Sequence, residues 1–413
     1  MSRSLVRSTL TASASILMFC MAAEHKCWAN DTAVVAGEQA RRIHQSALLI
    51  DGHNDLPWEL RQQGSLSFSK LDIAKPQPRF HTDIPRLKAG GVGAQFWSVY
   101  VPASTAYDGT ALVATLEQIE MVQAMVDYYS DVFELAATVE DIERIHASGK
   151  IASLIGVEGG HCIENSLGVL RQLYNLGARY MTLTHSDTLD WADSATDDAK
   201  HDGLTEFGEQ VVAEMNRLGM LVDLSHVSPE TMKDALRVSK APIIFSHSSA
   251  RAIADHPRNV PDDVLRLVAD NGGVVMVNFF SGFVVPESAA REGEEDAFRR
   301  QLSEQGASEA EIQPALKKWR LDHPLEPGTI HDLVDHIDHI ATVAGVDYVG
   351  IGSDYDGVGV LPKQLEDVST YPLITQVLLD RGYPEQQIRK ILGGNLLRAM
   401  RQAERVAKQL QSE

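Results

Sequence analysis

The sequence predicts an α/β fold, and within that class a closed (β/α)8 barrel of the TIM type. Eight short apolar, β-branched segments end before Gly, Asp or His, and they alternate with stretches whose apolar residues recur at helical spacing. Metal-binding types of side chain follow several of these segments, and in a barrel the carboxyl ends of all strands meet at one rim. The alternative architecture is an open, doubly wound sheet.

Parallel pairing of these segments follows from what lies between them. Segments such as 205–219 and 228–241 have amphipathic helical patterns, and strand-helix repeats place successive strands in parallel. The predicted strands are 47–50, 93–100, 151–157, 179–184, 220–224, 242–246, 273–278 and 348–353.

The first predicted strand runs into a His-x-Asp pair. In ALLIDGHND, His53 and Asp55 would share one face if the chain stays extended, since side chains alternate with a period of two. One imidazole nitrogen and one carboxylate oxygen suit a cation such as Zn²⁺. A pair of this kind also arises often by chance, so it needs partners from other strands.

The third predicted strand ends in an acid. In KIASLIGVEGGH, apolar residues lead directly into Glu158 and two glycines. A carboxylate there can bridge two cations, because each of its oxygens can bind one. A helix-capping role at a strand-to-helix turn is the alternative for this residue.

Two successive predicted strands both end in Ser-His. MLVDLSHVSPE and APIIFSHSSAR place His226 and His247 at the same level of neighbouring strands. A buried histidine with one hydrogen bond is the ordinary alternative for either residue alone. The repeated ending favours a shared metal site.

Other strand ends add groups suited to a substrate. His185 follows the fourth strand, Asp354 follows the eighth, and Arg251 and Arg258 lie in the loop after the sixth. A guanidinium beside a metal site suits a substrate carboxylate, because its planar fork matches two oxygens. A solvated surface charge is the alternative for a loop arginine.

Taken together, these motifs resemble the membrane dipeptidase family (peptidase family M19), also called renal dipeptidase or dehydropeptidase-I. The strings DGHNDLPW, GVEGGH, LTHSDTLDWADS, LVDLSHVS, FSHSSARAIADHPRNVPDD and GIGSDYDG occur in the family's order between Leu48 and Gly357, and ILGGNLLRAM is also similar. The resemblance implies a TIM-like barrel of the metal-dependent amidohydrolase type.

The resemblance also implies roles for single residues. It implies two Zn²⁺ ions per chain, one held by His53 and Asp55, the other by His226 and His247, with Glu158 as the bridge. Related amidohydrolases bridge their metals with a carbamylated lysine on strand four, which is absent here. Where some members offer a tyrosine hydroxyl to the substrate, this sequence has only Phe280 and Phe283.

The implied reaction is hydrolysis of a dipeptide by a metal-bridging hydroxide. His185 would face the scissile carbonyl, Arg258 would bind the C-terminal carboxylate, and Asp354 would transfer protons. A D-residue at the C-terminal position is compatible with this scheme. The alternatives are a related enzyme acting on a β-lactam, lactone or other non-peptide amide, and a non-catalytic zinc-binding barrel.

The N-terminus has the plan of a secretory signal. Residues 1–29 contain Arg3 and Arg7, an apolar stretch without acids, and small residues, with cleavage expected near 23–29. We therefore expect an exported protein, periplasmic or secreted, without a stable membrane anchor. Of the three cysteines only Cys162 would remain, more suited to packing than to zinc binding.

Composition sets further limits. The 413 residues are 44% hydrophobic, enough for residues 30–413 to form a single barrel domain. A net charge of −20 argues against nucleic acid or an anionic membrane as a partner. The acidic segment 287–327 is predicted as a helical insertion between strands seven and eight. It could cover the site or mediate a homodimer, although a solvated excursion is the default.

Overall fold

Nine parallel strands occur in the described residues, 33–64 and 67–413, of the computed structural model. They are β1 (Leu49–Asn54), β2 (Val92–Tyr100), β3 (Phe133–Leu135), β4 (Ile151–Glu158), β5 (Ala178–Thr182), β6 (Leu221–Asp223), β7 (Ile244–Phe245), β8 (Val274–Val277) and β9 (Val349–Ile351).

Eight of these strands close into a ring. The order is β1, β2, β4, β5, β6, β7, β8, β9, and β9 pairs with β1 again. The short β3 pairs only with the first half of β4, outside the ring. The predicted (β/α)8 barrel is therefore confirmed. Strand β3 was not predicted, because three residues are too few to show a period.

Helices follow the strands along the chain. They are α1 (Glu38–Ser46), α2 (Leu56–Gln62), α3 (Ile84–Ala89), α4 (Ser104–Asp108), α5 (Ala111–Tyr128), α6 (Val139–Ala147), α7 (Leu167–Asn175), α8 (Glu206–Leu218), α9 (Pro229–Val238), α10 (Asp262–Asn271), α11 (Ser281–Val284), α12 (Pro286–Glu304), α13 (Glu309–Asp322), α14 (Ile330–Val343), α15 (Tyr371–Asp380), α16 (Glu385–Arg389) and α17 (Asn395–Leu410). Short turns of 3₁₀ or π type occupy Gly160–Ile163, Val346–Tyr348, Val368–Thr370 and Lys390–Gly394.

Local sequence explains the limits of α8 and α9. The Thr205 hydroxyl accepts the amide N–H of Gly208 at the start of α8, and Gly219 ends that helix in a left-handed conformation. The Ser228 hydroxyl accepts the amide N–H of Thr231 at the start of α9, directly after the His226 loop. These caps satisfy amide groups that have no partner within the helix, and they set where each helix leaves the rim.

The core has two apolar layers. The larger one lies between strands and surrounding helices, and the smaller one joins strand residues such as Phe96, Leu154 and Met276 to α17. Gly393, just before α17, lies so close to Leu48 and Ile50 that a side chain there would clash with the backbone. This packing covers the amino end of β1, away from the predicted rim.

The first strand differs from its prediction. It starts at Leu49 and continues through His53 to Asn54, because the backbone stays paired with β2 although the side chains become polar. Asp55 is not extended, with φ −98° and ψ 15°, and it immediately precedes α2. The alternation argument for His53 and Asp55 is therefore wrong, and the turn itself directs the Asp55 side chain.

The segment predicted as an insertion contains α12 and α13, which lie between β8 and β9. The predicted signal, residues 1–29, lies outside the described residues. Within the described parts, none of the helices combines the length and apolar character that a bilayer crossing requires.

Cys162, the cysteine among the described residues, is a buried free thiol.

Candidate metal centre

Glu158 lies at the centre of a group of imidazoles. Its Oε1 atom is 3.0 Å from His226 Nε2, 3.5 Å from His247 Nε2 and 3.7 Å from His185 Nε2. Its Oε2 atom is 3.5 Å from His53 Nε2 and accepts the Ser98 hydroxyl at 3.0 Å. Each carboxylate oxygen therefore faces different imidazoles, as a bridging carboxylate requires.

The two Ser-His endings meet. His226 Nε2 and His247 Nε2 lie 2.9 Å apart. The Ser246 hydroxyl donates to Asp223 Oδ2 at 2.6 Å, so toward His247 Nδ1, 2.7 Å away, this hydroxyl can only accept. His247 Nδ1 therefore carries the proton, and the Nε2 lone pair is left free for a cation.

A neighbouring hydroxyl also fixes the proton of His53 on Nδ1. Tyr180 donates its hydroxyl to the Gly52 carbonyl at 3.3 Å and accepts from His53 Nδ1 at 2.9 Å. His53 Nε2 is buried, 3.1 Å from Asp55 Oδ2 and 3.5 Å from Glu158 Oε2. A buried nitrogen facing carboxylates in this way is what an imidazole ligand looks like.

These donors fit metal ions. The described residues contain three sets of possible ligands, and within each set the ligand atoms lie within 4.8 Å of one another. The burial of these atoms and their mixture of nitrogen and oxygen suit Zn²⁺. The sets are His53, Glu158 and His247; Glu158, His185 and His226; and His53, Asp55 and Asp354. They contain all five predicted ligands. They also bring His185 and Asp354 into ligand range, where the sequence suggested catalytic and substrate-binding roles.

The charge states of the buried groups agree with this arrangement. Burial raises the pKa of the Glu158 carboxyl, but the adjacent His53, His226 and His185 outweigh it and hold that pKa well below its usual value. Burial lowers the pKa values of His226 and His247 well below normal. Ionised carboxylates and neutral imidazoles are the forms that bind metals.

His53 is the exception among the imidazoles. Burial works to lower its pKa, but the electrostatic effects of Tyr180, Glu158 and Asp55, together with a hydrogen bond to Asp55, raise it well above normal. A proton on His53 Nε2 therefore offsets the carboxylate charge when no cation does so. Metal binding would displace that proton.

Backbone turns aim two of the side chains. His226 and Asp354 both have positive φ, 68° and 66°, which costs energy for residues other than glycine and recurs at functional sites. At Gly357 a Cβ atom would lie 2.3 Å from Asp55 Oδ2 and 2.5 Å from Asp354 Oδ1. Only glycine lets the chain pass this close to both carboxylates.

Asp354 is a buried acid with a raised pKa. Its Oδ2 atom accepts Asn278 Nδ2 at 2.7 Å. Burial, followed by the charges of Asp55 and Glu158 against the opposing effect of His53, raises the pKa of Asp354 to about 8. The residue can therefore exist in both protonation states near neutral pH, although a bound cation would lower this pKa.

Arg258 is a buried cation that pairs with none of the carboxylates in the described residues. The residue is 4% exposed, and its guanidinium lies over the Phe283 ring and within 3.4 Å of Ser248 Oγ and the His247 carbonyl. In the described part of the chain no carboxylate lies within 4.0 Å of it. Burying an unpaired charge is costly, so a guanidinium held this way is arranged for an anionic ligand.

These groups open into one cavity of about 550 Å³, which includes Glu158, His185, His226, Arg258 and Asp354 in its lining. That size suits a small ligand. Cys162 takes no part in the three ligand sets of the described residues. Arg251 bonds to the carbonyls of His256 and Pro257, so it fastens its own loop.

Several residues that line the cavity or support the metal ligands were not predicted from the sequence. Tyr100 lies against the His185 ring. The cavity is lined by Tyr100, Trp58 and Glu59 as well. Tyr180, Asp223 and Ser246 support the metal ligands. Their only sequence signal was a place in or next to a strand that ends at the rim.

Removing the Ser246 hydroxyl should loosen His247. We expect Ser246→Ala to weaken metal affinity by about 10- to 100-fold, the usual effect of removing the partner of a metal-bound histidine. Metal per chain after dialysis against a graded chelator series measures this. Ser153→Ala is the matched control, because that buried barrel hydroxyl bonds Trp97 and no site histidine. Equal metal retention in both variants would contradict the assignment.

A barrel rim that brings histidines and carboxylates together around one cavity is typical of metal-dependent hydrolases. The particular family follows from comparison of the sequence. Residues 37–413 match the membrane dipeptidase family (peptidase family M19), and the chain belongs to that family. It is therefore a metallo-dipeptidase by class.

Solved structures support the fold. The probable dipeptidase PvdM from Pseudomonas aeruginosa is 26% identical, with a TM-score of 0.79 over 89% of this chain and 98% of that one. A metallo peptidase from Rhodobacter sphaeroides, liganded with a phosphinate mimic of the dipeptide L-Ala-D-Ala, is 24% identical, with a TM-score of 0.72 over 86% of this chain and 99% of that one.

Proposed function

We propose that this protein is a zinc-dependent dipeptidase that requires a free C-terminal carboxylate on its substrate. The observation that carries the proposal is Arg258, a buried guanidinium that lines the same cavity as Glu158 and has no carboxylate partner among the described residues. It can bind a substrate carboxylate at a short, fixed distance from the metal centre. Long peptides would place their carboxylate elsewhere, which limits substrates to short ones.

We assign two Zn²⁺ ions to the centre. The ions would be held by His53, Asp55, His226 and His247. Glu158 would bridge them, because its two oxygens face different imidazoles. When bound, such ions activate a water molecule and polarise the scissile carbonyl. No lysine is required as the bridge.

The chain's own residues would handle substrate and protons. His185 lines the cavity and would face the scissile carbonyl, donating to the developing oxyanion from Nε2 in the form of the ring that carries a proton there. Asp354, held by Asn278, would accept a proton from the attacking water and return it to the leaving amine. Arg258 orients the substrate for both steps.

Three further features belong to the proposal. A D-residue would be accepted at the C-terminal position, because Arg258 binds the carboxylate of either configuration; the L-Ala-D-Ala mimic bound by the Rhodobacter sphaeroides protein is compatible with this. Residues 1–29 would direct export to the periplasm or the medium. The chain would work without a membrane anchor, either alone or as a homodimer.

A panel of dipeptides tests the function. Zinc-loaded and chelator-treated protein would be compared on L-L dipeptides, one L-D dipeptide, one C-terminally amidated dipeptide, a β-lactam and a lactone. We expect zinc-dependent cleavage of the free dipeptides and not of the amide. Cleavage of the lactone or β-lactam alone would replace the proposal with the non-peptide alternative, and no cleavage with two metals bound would favour a non-catalytic barrel.

Arg258→Ala should mainly weaken substrate binding. Losing a buried charged contact costs about 2 kcal/mol or more, which corresponds to a rise of at least about 30-fold in KM for free dipeptides. The amidated dipeptide, which lacks the carboxylate, should stay uncleaved by both proteins. Steady-state kinetics measure both, with the exposed Arg266→Ala on α10 as control. An unchanged KM would remove Arg258 as the carboxylate ligand.

A further inference from the structure

Arg320 brings a second guanidinium to the catalytic cavity from outside the barrel. It lies on α13, in the insertion between β8 and β9, and lines the same cavity as Glu158 and Arg258. Its side chain is 59% exposed, so a ligand entering the cavity can reach it. The insertion is therefore part of the cavity wall, and Arg320 is its charged contribution.

A buried acid holds Arg320 in place. Nε lies 3.0 and 2.8 Å from the two oxygens of Glu295, and Nη2 lies 2.5 Å from Oε1. Across residues 33–64 and 67–413, no acceptor is within hydrogen-bond range of Nη1. The ion pair uses the Nε and Nη2 edge of the guanidinium and leaves the Nη1 donor available to a ligand.

Arg320 lies on the same wall as Arg258. The Arg258 guanidinium lies over Phe283, and Phe283 packs edge-on against Phe280 at 4.9 Å. The Phe280 ring and the Glu292 side chain both lie against Gly282. Glu292 is one helical turn from Glu295, the partner of Arg320. If Arg258 binds the C-terminal carboxylate, this wall borders the C-terminal residue of the substrate.

The acids nearest Arg320 neutralise only part of its charge. Glu295 pairs with it, and Glu292 and Asp296 do not line the cavity, whereas Glu59 and Asp356 do. Burial, strengthened by repulsion from Glu295 and Asp296, raises the pKa of Glu292 to about 7. A partly protonated Glu292 reduces the negative charge beside the ion pair.

We propose that Arg320 selects dipeptides whose C-terminal residue carries an acidic side chain, an inference that rests on the dipeptidase function proposed above. Arg258 binds the α-carboxylate, and Nη1 of Arg320 binds the side-chain carboxylate. In the competing explanation the Arg320–Glu295 pair only fastens α12 to α13. The two explanations differ in whether substrate preference depends on Arg320.

The test compares kcat/KM for Ala-Glu, its neutral isostere Ala-Gln, the reversed Glu-Ala, and Ala-Ala. Zinc-loaded wild-type protein, Arg320→Gln and the exposed neighbour Lys318→Gln would be measured side by side. We expect wild type to prefer Ala-Glu over Ala-Gln by about tenfold, the size of one charged hydrogen bond. Arg320→Gln should abolish that preference and leave Ala-Gln and Ala-Ala within about twofold, and Lys318→Gln should change nothing.

Other results overturn the inference. An equal fall on all four dipeptides would show a structural role, and an unchanged ratio of Ala-Glu to Ala-Gln, or an effect on Glu-Ala alone, would show no selection at the C-terminal residue. If Arg320→Gln does not fold, Arg320→Lys should keep part of the preference, and full preference or none there counts against the proposal. Cleavage of Ala-Ala without any Arg320-dependent preference refutes this inference alone, whereas no cleavage of any dipeptide refutes the dipeptidase function and this inference with it.

Discussion

Replacing Glu158 with glutamine is expected to abolish stable metal binding and activity together. The carboxylate faces His53 through one oxygen and His226, His247 and His185 through the other, so the variant loses negative charge at the centre of both proposed cation positions. Even an indirect partner of a metal ligand is worth about 10- to 100-fold in affinity or activity. We expect a direct bridging ligand to exceed the upper value.

Metal per chain and kcat/KM measured on the same preparations test this expectation. Glu164→Gln is the matched control, because Glu164 is an exposed acid on the loop that follows Glu158, and glutamine can still accept the Leu112 amide. Far-ultraviolet circular dichroism would show whether the barrel forms in each variant. If Glu158→Gln keeps both metals in a folded barrel, the bridge lies elsewhere.

Asp354→Asn is expected to separate catalysis from metal binding. Asparagine keeps the size of the side chain but cannot take up and return a proton, and proton transfer by a positioned group contributes about 100- to 10,000-fold. We therefore expect kcat to fall by about that factor while metal content stays near that of wild type.

The distinguishing measurement is again metal content. Asp354 also lies in one candidate ligand set, with His53 and Asp55. A parallel loss of metal and kcat would make Asp354 a ligand and leave the proton carrier unassigned. Asp347→Asn is a suitable control, because that acid pairs with Lys390 away from the cavity and its side chain is 47% exposed.

Periodicity along the chain carries information about the barrel but not about the turns at its rim. The barrel was predictable because eight apolar segments alternate with amphipathic helices, and that pattern constrains neighbouring strands to be parallel. Strand β1 was predicted too short, because Gly52 and His53 break the apolar run although their backbone stays paired with β2. Asp55 reaches His53 through a turn, which alternation along a strand does not describe.

The supporting residues were not predictable from the chain alone. Tyr180 bonds His53 across 127 residues, and Asp51 accepts Ser353 and Tyr371 from more than 300 residues away. Each is an ordinary polar residue in a strand until the barrel closes. Only the closed ring decides which strand stands next to which, and so which buried polar groups become partners.

By itself the sequence determined the fold class, the family resemblance and the residue types at the rim, because these depend on order and spacing along the chain. The tertiary structure decided which imidazoles each oxygen of Glu158 faces, and that Arg320 reaches the cavity from the insertion. It also decided that Arg258 is buried with no carboxylate of the described residues beside it. Distances between side chains on different strands depend on barrel closure and on helix packing, and neither is written in local sequence.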